Sequence, residues 1–242
     1  MFDRWMQYSY AAQKHQRHRL LKILFVFFIL FVIYNSLVTF LVSVWTLDND
    51  TMQPALASGD RLIFASSVFY LGSFTNKTEE QALPFKRGSI VLVDKGNTKE
   101  RKIPLRMLDS AVRFFTAQQI SLFSKEEHFY VKRVVALPGD EVFMNNFVFR
   151  VKPSGSPFSL TEFELAEKPY HPVIPNIPAL WDDSIPFSGN MNTIILGPDE
   201  CFVVSDDRGN TNDSRTWGPV SLSKITARAV LRFWPIVKFE VF

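Results

Sequence analysis

Lysine is uncommon inside an apolar strand, yet residues 130–136 read Tyr-Val-Lys-Arg-Val-Val-Ala. Alternation along a strand points Lys132 the same way as Val134 and Ala136, toward a core instead of water. An ammonium stripped of water loses its proton more easily, so such a lysine accepts a proton near neutral pH. A lysine on a solvated strand face is the alternative, and this segment alone leaves both open. A base also needs a hydroxyl to act on. Thr51, in Asn49-Asp50-Thr51-Met52-Gln53-Pro54, supplies one, and a neutral lysine can replace histidine beside a Ser or Thr nucleophile. In isolation the same threonine also reads as a turn or cap residue ahead of Pro54. The third polar stretch runs from Ser205 to Gly218 and carries Asp206, Arg208, Thr211, Asp213 and Arg215. Metal chemistry is not expected: Cys201 is the lone cysteine, and the four histidines have no paired ligand spacing.

Holding such residues together calls for a mostly β domain. Arg61–Phe64, Ser89–Val93, Phe129–Ala136, Glu141–Phe149, Thr193–Leu196, Cys201–Val204 and Ala227–Phe233 are β-branched or aromatic runs bounded by turn residues. Asn145-Asn146 is suited to turning a hairpin within the fourth. After Pro104, Leu105, Leu108, Val112 and Phe115 recur at helical spacing, which predicts a helix that packs on the core or lies on a membrane surface. Seven of the 14 prolines fall between Pro153 and Pro186, so residues 151–192 read as an irregular insertion. Residues 46–242 are expected to form one domain with insertions.

The chain has 242 residues and a formal charge of +3, unevenly spread. Within residues 1–22, Arg4, Lys14, Arg17, Arg19 and Lys22 face only Asp3, a balance of +4 that leaves the rest at −1. That remainder lacks the basic excess a nucleic-acid binder needs. From Ile23 to Trp45 no residue is charged. As a helix this run would extend roughly 34 Å, enough for a bilayer core. It is too long for a cleaved signal peptide's apolar region, and no small-residue cleavage site follows it. A transmembrane helix over 23–45 is therefore expected, with the basic segment 1–22 cytoplasmic and the domain from 46 onward translocated.

Together the three segments resemble the type I signal peptidase family, membrane-bound proteases that remove signal peptides from exported proteins. Thr51-Met52-Gln53-Pro54-Ala55-Leu56 is similar to the family's Ser-Met-x-Pro-Thr/Ser-Leu box. Lys132, Arg133, Leu137, Pro138, Gly139 and Asp140 match its second box residue for residue. Asp206, Arg208, Asn210, Asp213, Ser214, Arg215, Trp217 and Gly218 match its third, and the order agrees.

The resemblance implies a β catalytic domain with a Ser/Lys-type dyad, no cofactor and no metal. Carried over by position, Thr51 is the nucleophile and Lys132 the general base. Thr211 falls where a hydroxyl holds the lysine, and Asn49 where some members place an oxyanion-hole donor. Met52, Tyr130 and Val131 line pockets for small side chains, while Arg133, Asp213 and Arg215 are structural residues near the site. The implied partners are signal peptides of preproteins and the lipid bilayer, with no nucleic acid. The implied location is the plasma (inner) membrane, single-pass, with the catalytic domain periplasmic or extracellular. Four positions depart from the pattern: Thr51 for serine, Ala55 for Thr or Ser, Ser205 for glycine and Gly209 for aspartate. The threonine methyl stiffens χ1 beside the attacked carbonyl. Two readings follow: a working Thr/Lys signal peptidase, or a catalytically weak homologue that binds signal peptides or partners without cutting them.

Overall fold

The computed structural model describes residues 10–40, 42–66, 83–96, 108, 112, 129–176 and 189–242. The chain divides into two compact units, Met1–Phe40 with Glu100–Ser124, and Leu41–Lys99 with Lys125–Phe242. In the first, helix α1 spans Tyr10–Phe40. From Leu20 to Tyr34 its large apolar side chains other than Phe31 are exposed around the helix. Among the described residues no helix is long and apolar enough to cross a membrane. Leu108 and Val112 are helical, as their spacing predicts. The other positions of that expected helix lie outside the described residues.

The second unit is mostly β, as expected. Its strands are β1 (Val42–Thr46), β2 (Arg61–Ser66), β3 (Ile90–Asp94), β4 (Phe129–Ala136), β5 (Glu141–Asn145), β6 (Val148–Lys152), β7 (Leu160–Thr161), β8 (Met191–Ile195), β9 (Glu200–Val204), β10 (Val220–Ser221), β11 (Ile225–Trp234) and β12 (Glu240–Val241). Short helices α2 (Glu162–Leu165) and α3 (Ser214–Trp217) interrupt them. One sheet runs β1-β2-β11-β3-β4-β9-β10, with β12 added beside β11, and a smaller one runs β7-β6-β5-β8.

Two expectations need correcting. The apolar run does not stay helical to Trp45: the helix ends at Phe40, and Val42–Thr46 pair antiparallel with β2. Val42, Val44 and Trp45 suit a strand, but continuous apolarity hides the change of period. The described residues of the Pro-rich stretch 151–192, namely 151–176 and 189–192, are also less irregular than its composition implies. They include the end of β6, then β7, α2 and the start of β8. A capping box between Thr161 and Glu164 starts α2.

Both faces of the large sheet are covered, which is why β4 is buried on both sides. Met52, Leu56, Leu62, Phe64, Ile90, Leu92 and Val131 share one cluster. Val91, Val93, Val134, Leu137, Cys201 and Val203 share another, with Trp217 packed against it. The turn after β4 is fixed by charge. Asp140, fully buried, takes two bonds from Arg87, at 3.0 and 2.9 Å, and the backbone N–H groups of Leu137 (2.8 Å) and Ser154 (3.1 Å). Gly139 allows the turn with φ of +77°. At Gly88, φ is +86° and a Cβ would lie 2.9 Å from Ala166 Cβ, so only glycine brings its carbonyl this close to Arg133.

Removing one partner of a buried pair strands the other charge. Asp140→Ala is therefore expected to cost about 3–5 kcal/mol in urea unfolding, and Asp140→Asn less, because the amide oxygen still accepts a backbone N–H.

Candidate active site

The loop before β2 begins the site. Met52 and Leu56 are fully buried and pin it to the sheet, while Asn49 is exposed and Thr51 half-buried. Leu47 N–H donates to Asp60 O (2.9 Å), and Asp60 Oδ2 accepts from Ala57 N–H (3.1 Å) and Arg232 Nη1 (3.2 Å). Arg232 Nη1 also donates to Ala55 O at 2.7 Å. These bonds hold both ends of a short loop and leave Thr51 accessible near its tip. Thr51 Oγ1 donates to Asn49 Oδ1 at 2.8 Å, and the same oxygen lies 3.4 Å from Thr51 N.

Lys132 projects from β4 and is 1% exposed, as are its neighbours of either parity within a few per cent, because the strand is covered on both faces. Loss of water lowers its ammonium pKa from the ordinary 10.5 to about 8. Asp213, Asp206 and Asp207 oppose that shift and Arg215 reinforces it. No carboxylate among the described residues forms an ion pair with Nζ, because two of those acids are already engaged. Arg133 Nε and Nη2 grip Asp206 at 2.7 and 2.5 Å. Arg215 Nε and Nη2 grip Asp213 at 2.9 and 2.7 Å. The direct partner of Lys132 Nζ is a neutral hydroxyl, Ser205 Oγ, at 2.8 Å.

The segment from Ser205 to Trp217 organises these groups. Asp213 caps α3 by accepting from Arg215 N–H, and it accepts Ser205 N–H at 2.9 Å. Burial works to raise its carboxyl pKa, but the Arg215 guanidinium, helped by these two N–H groups, holds it below the usual carboxylate range. Arg215 also donates to the carbonyls of Arg208 (2.8 Å) and Asn210, stapling the loop. Asp207 N–H donates to Thr51 O at 3.1 Å. One loop thus holds Lys132 through Ser205 and the Thr51 backbone through Asp207. Beneath it Arg208 and Glu162, both buried, pair at 2.6 Å, and Tyr170 OH donates to the same Glu162 oxygen at 2.6 Å.

The expected residues are distributed as follows. Met52 and Val131 are buried in one cluster, and Tyr130 rests against Trp217 with ring centroids 5.2 Å apart. Arg133 and Arg215 serve the structural pairs already described. Thr211 departs from expectation: its carbonyl accepts from Thr216 Oγ1 (2.6 Å) and Asp213 N–H (2.8 Å), but its hydroxyl is not bonded to Lys132. Ser205 was visible in sequence only as a replaced glycine. Its position one residue past β9 was the signal that could have found it. Among the described residues no group of three His, Cys, Asp or Glu is arranged to hold a metal ion.

Comparison with known proteins identifies the family. The chain is 26% identical over 199 residues to signal peptidase I P of Bacillus subtilis subsp. natto, covering 82% of this chain and 80% of that protein. Signal peptidase I of Leptolyngbya laminosa is 26% identical over 199 residues, 82% of this chain and 71% of the other. A probable signal peptidase I-1 of Synechocystis sp. is 35% identical over 107 residues, 44% of this chain and 43% of that protein. The family model for signal peptidase, peptidase S26, matches residues 19–234, most of the chain including every element of the site, and the chain belongs to that family.

Proposed function

We propose that the chain is a membrane-anchored signal peptidase I that cuts preproteins after small-x-small sites, with Thr51 as nucleophile and Lys132 as base. The observation that carries this reading is a buried, water-stripped Lys132 held by the same loop that binds the Thr51 backbone. In the first step Lys132 Nζ takes the Thr51 hydroxyl proton while Oγ1 attacks the scissile carbonyl carbon. The intermediate collapses by breaking the C–N bond, with the proton passing to the leaving amine and an ester left on Thr51. Lys132 then deprotonates a water that hydrolyses the ester. Asn49, already against Oγ1, orients the hydroxyl at rest, and its amide N–H serves the developing oxyanion, a contribution of typically 10²–10³ in rate. An extended substrate adds as a strand, its small side chains meeting Met52, Tyr130 and Val131.

The anchor in this reading is the uncharged run that begins at Ile23; the described part of α1 is not by itself long and apolar enough to cross a membrane, so the reading rests on the sequence and on the side chains that part exposes. Large apolar side chains exposed on every side from Leu20 to Tyr34 would each cost about 1.5–3 kcal/mol in water relative to burial, and hydrocarbon removes that cost. The basic flank of 1–22 then stays on the cytoplasmic side and the β unit lies outside it. The full chain is expected to remain with membranes after an alkaline carbonate wash; release into the supernatant would refute an integral anchor.

A second reading, a weakly active homologue, is favoured by the Thr51 methyl and by Asn49 taking the hydroxyl proton's direction. Cleavage of a preprotein in detergent decides between them. Thr51→Ala is expected to lower kcat/KM at least about 10³-fold and Thr51→Ser to preserve or raise it. Activity in Thr51→Ser with none in the wild type would favour the second reading.

The base requires an unprotonated amine. With its folded pKa near 8, kcat/KM should rise about tenfold per pH unit below 8 and level off above it. A flat profile from pH 5 to 8 would remove Lys132 as the base. Because the folded pKa lies below the unfolded 10.5, burial penalises stability fully below pH 8, and the penalty fades as pH rises toward 10.5. Lys132→Met is therefore expected to abolish cleavage and raise Tm at pH 7.

A further inference from the structure

We propose that Ser205, at a position where the resembling family has glycine, is the positioning residue that aims Lys132, in place of Thr211. The inference rests on the Thr51/Lys132 reading but is carried by the sheet. In the β4–β9 ladder Arg133 is opposite Val204 and Val134 opposite Val203, so the next step of the same register sets Ser205 across from Lys132. Directly opposed residues of an antiparallel pair send their side chains to the same face at close range. The hydroxyl therefore reaches Nζ at 2.8 Å because the two strands are paired, with no special loop conformation required.

Ser205 is fixed at three points. It directly follows the last residue of β9, its N–H is held by Asp213 Oδ2 at 2.9 Å, and it is fully enclosed. That enclosure excludes the serine as a nucleophile, since no carbonyl carbon reaches a fully buried hydroxyl. What it does is take one N–H of the lysine. An amine that acts as a base must present its lone pair, and the long lysine side chain otherwise rotates freely about its last bond. With one N–H given to Ser205 Oγ, that rotation is restricted and the lone pair is confined to the directions left over. The charged groups facing the amine are Asp206, Asp207, Asp213 and Arg215, with Lys95 on the ring of Trp217 at 4.4 Å. Asp206 and Asp213 are held by Arg133 and Arg215, so they set the local field without taking the N–H.

The test follows the 15Nζ resonance of Lys132 through a pH titration in lysine-labelled protein in detergent, assigned with Lys132→Met, and kcat and KM on a preprotein in parallel. Loss of an acceptor that favours the charged form lowers the midpoint. Ser205→Ala is expected to move it down by a few tenths to about one pH unit and to reduce kcat roughly 10-fold, with KM within about twofold. Ser205→Cys, nearly the same shape with a weak acceptor, is expected to move it the same way even if Ser205→Ala folds poorly, and Ser205→Thr to restore it. Thr211→Ala should leave the midpoint in place. An unmoved midpoint in both Ser205→Ala and Ser205→Cys, or a shift in Thr211→Ala, overturns the proposal. Absence of turnover in the wild type, with the midpoints behaving as stated, would count against the peptidase reading while leaving this positioning role supported.

Discussion

Lys132 has lost its water and gained no carboxylate in direct contact, and much of the unit is organised around that condition. A buried ammonium left fully charged would be expensive, and one paired with an acid would be locked in its protonated form. The structure avoids the second and lessens the first, since with a pKa of about 8 the amine gives up its proton far sooner than an ordinary lysine. Three aspartates face the lysine, but Arg133 and Arg215 hold two of them, so their pull on its proton is moderated. Each of those arginines does a second task. Arg133 reaches Gly88 O and lies over the ring of Tyr170 at 4.0 Å, tying β4 to the segment before β3, and Arg215 closes the loop on itself.

That arrangement explains which parts of the chain accept no side chain or charge change and which do. Gly88 lies against Ala166, and Asp140 and Asp206 are sealed from water. Gly209, by contrast, is exposed, and the aspartate the family pattern has there is absent without any loss of the two arginine pairs. The threonine at 51 is a different kind of change: it lies half-buried near the tip of its loop, and in the proposed reading it alters the group that meets substrate.

Much of this was legible in the amino-acid sequence, for reasons that differ by residue. The strand at Phe129–Ala136 was clear because β-branched residues run between turn signals. Parity with Val134 suggested one buried face for Lys132, whereas the strand is covered on both faces and Arg133 is buried as well. The β5–β6 hairpin was legible at Asn145-Asn146, but its turn lies one residue later: Asn145 pairs with Val148, and the loop residues are Asn146 and Phe147, with φ of +51° and +64°. β1 was hidden because its apolar residues continue the apolar run of the helix without a break. The Arg208–Glu162–Tyr170 cluster was hidden because its members are separated in sequence and belong to a stretch that prolines made look unstructured. Ser205 was hidden for a subtler reason: a box-by-box comparison assigns roles by position in a motif, whereas its role comes from cross-strand register, which a motif does not encode.

The low proton affinity of Lys132 also belongs to the folded state alone. Before β4 and β9 pair, the same lysine is solvated and keeps its ordinary affinity, so almost none of it is free amine at neutral pH. Closing the sheet brings the pKa to about 8 and raises that free share roughly 300-fold, though most of the lysine still carries its charge at pH 7. In the proposed reading, the nascent chain therefore contains the threonine, the lysine and the whole motif, yet only a trace of base until its own architecture is complete.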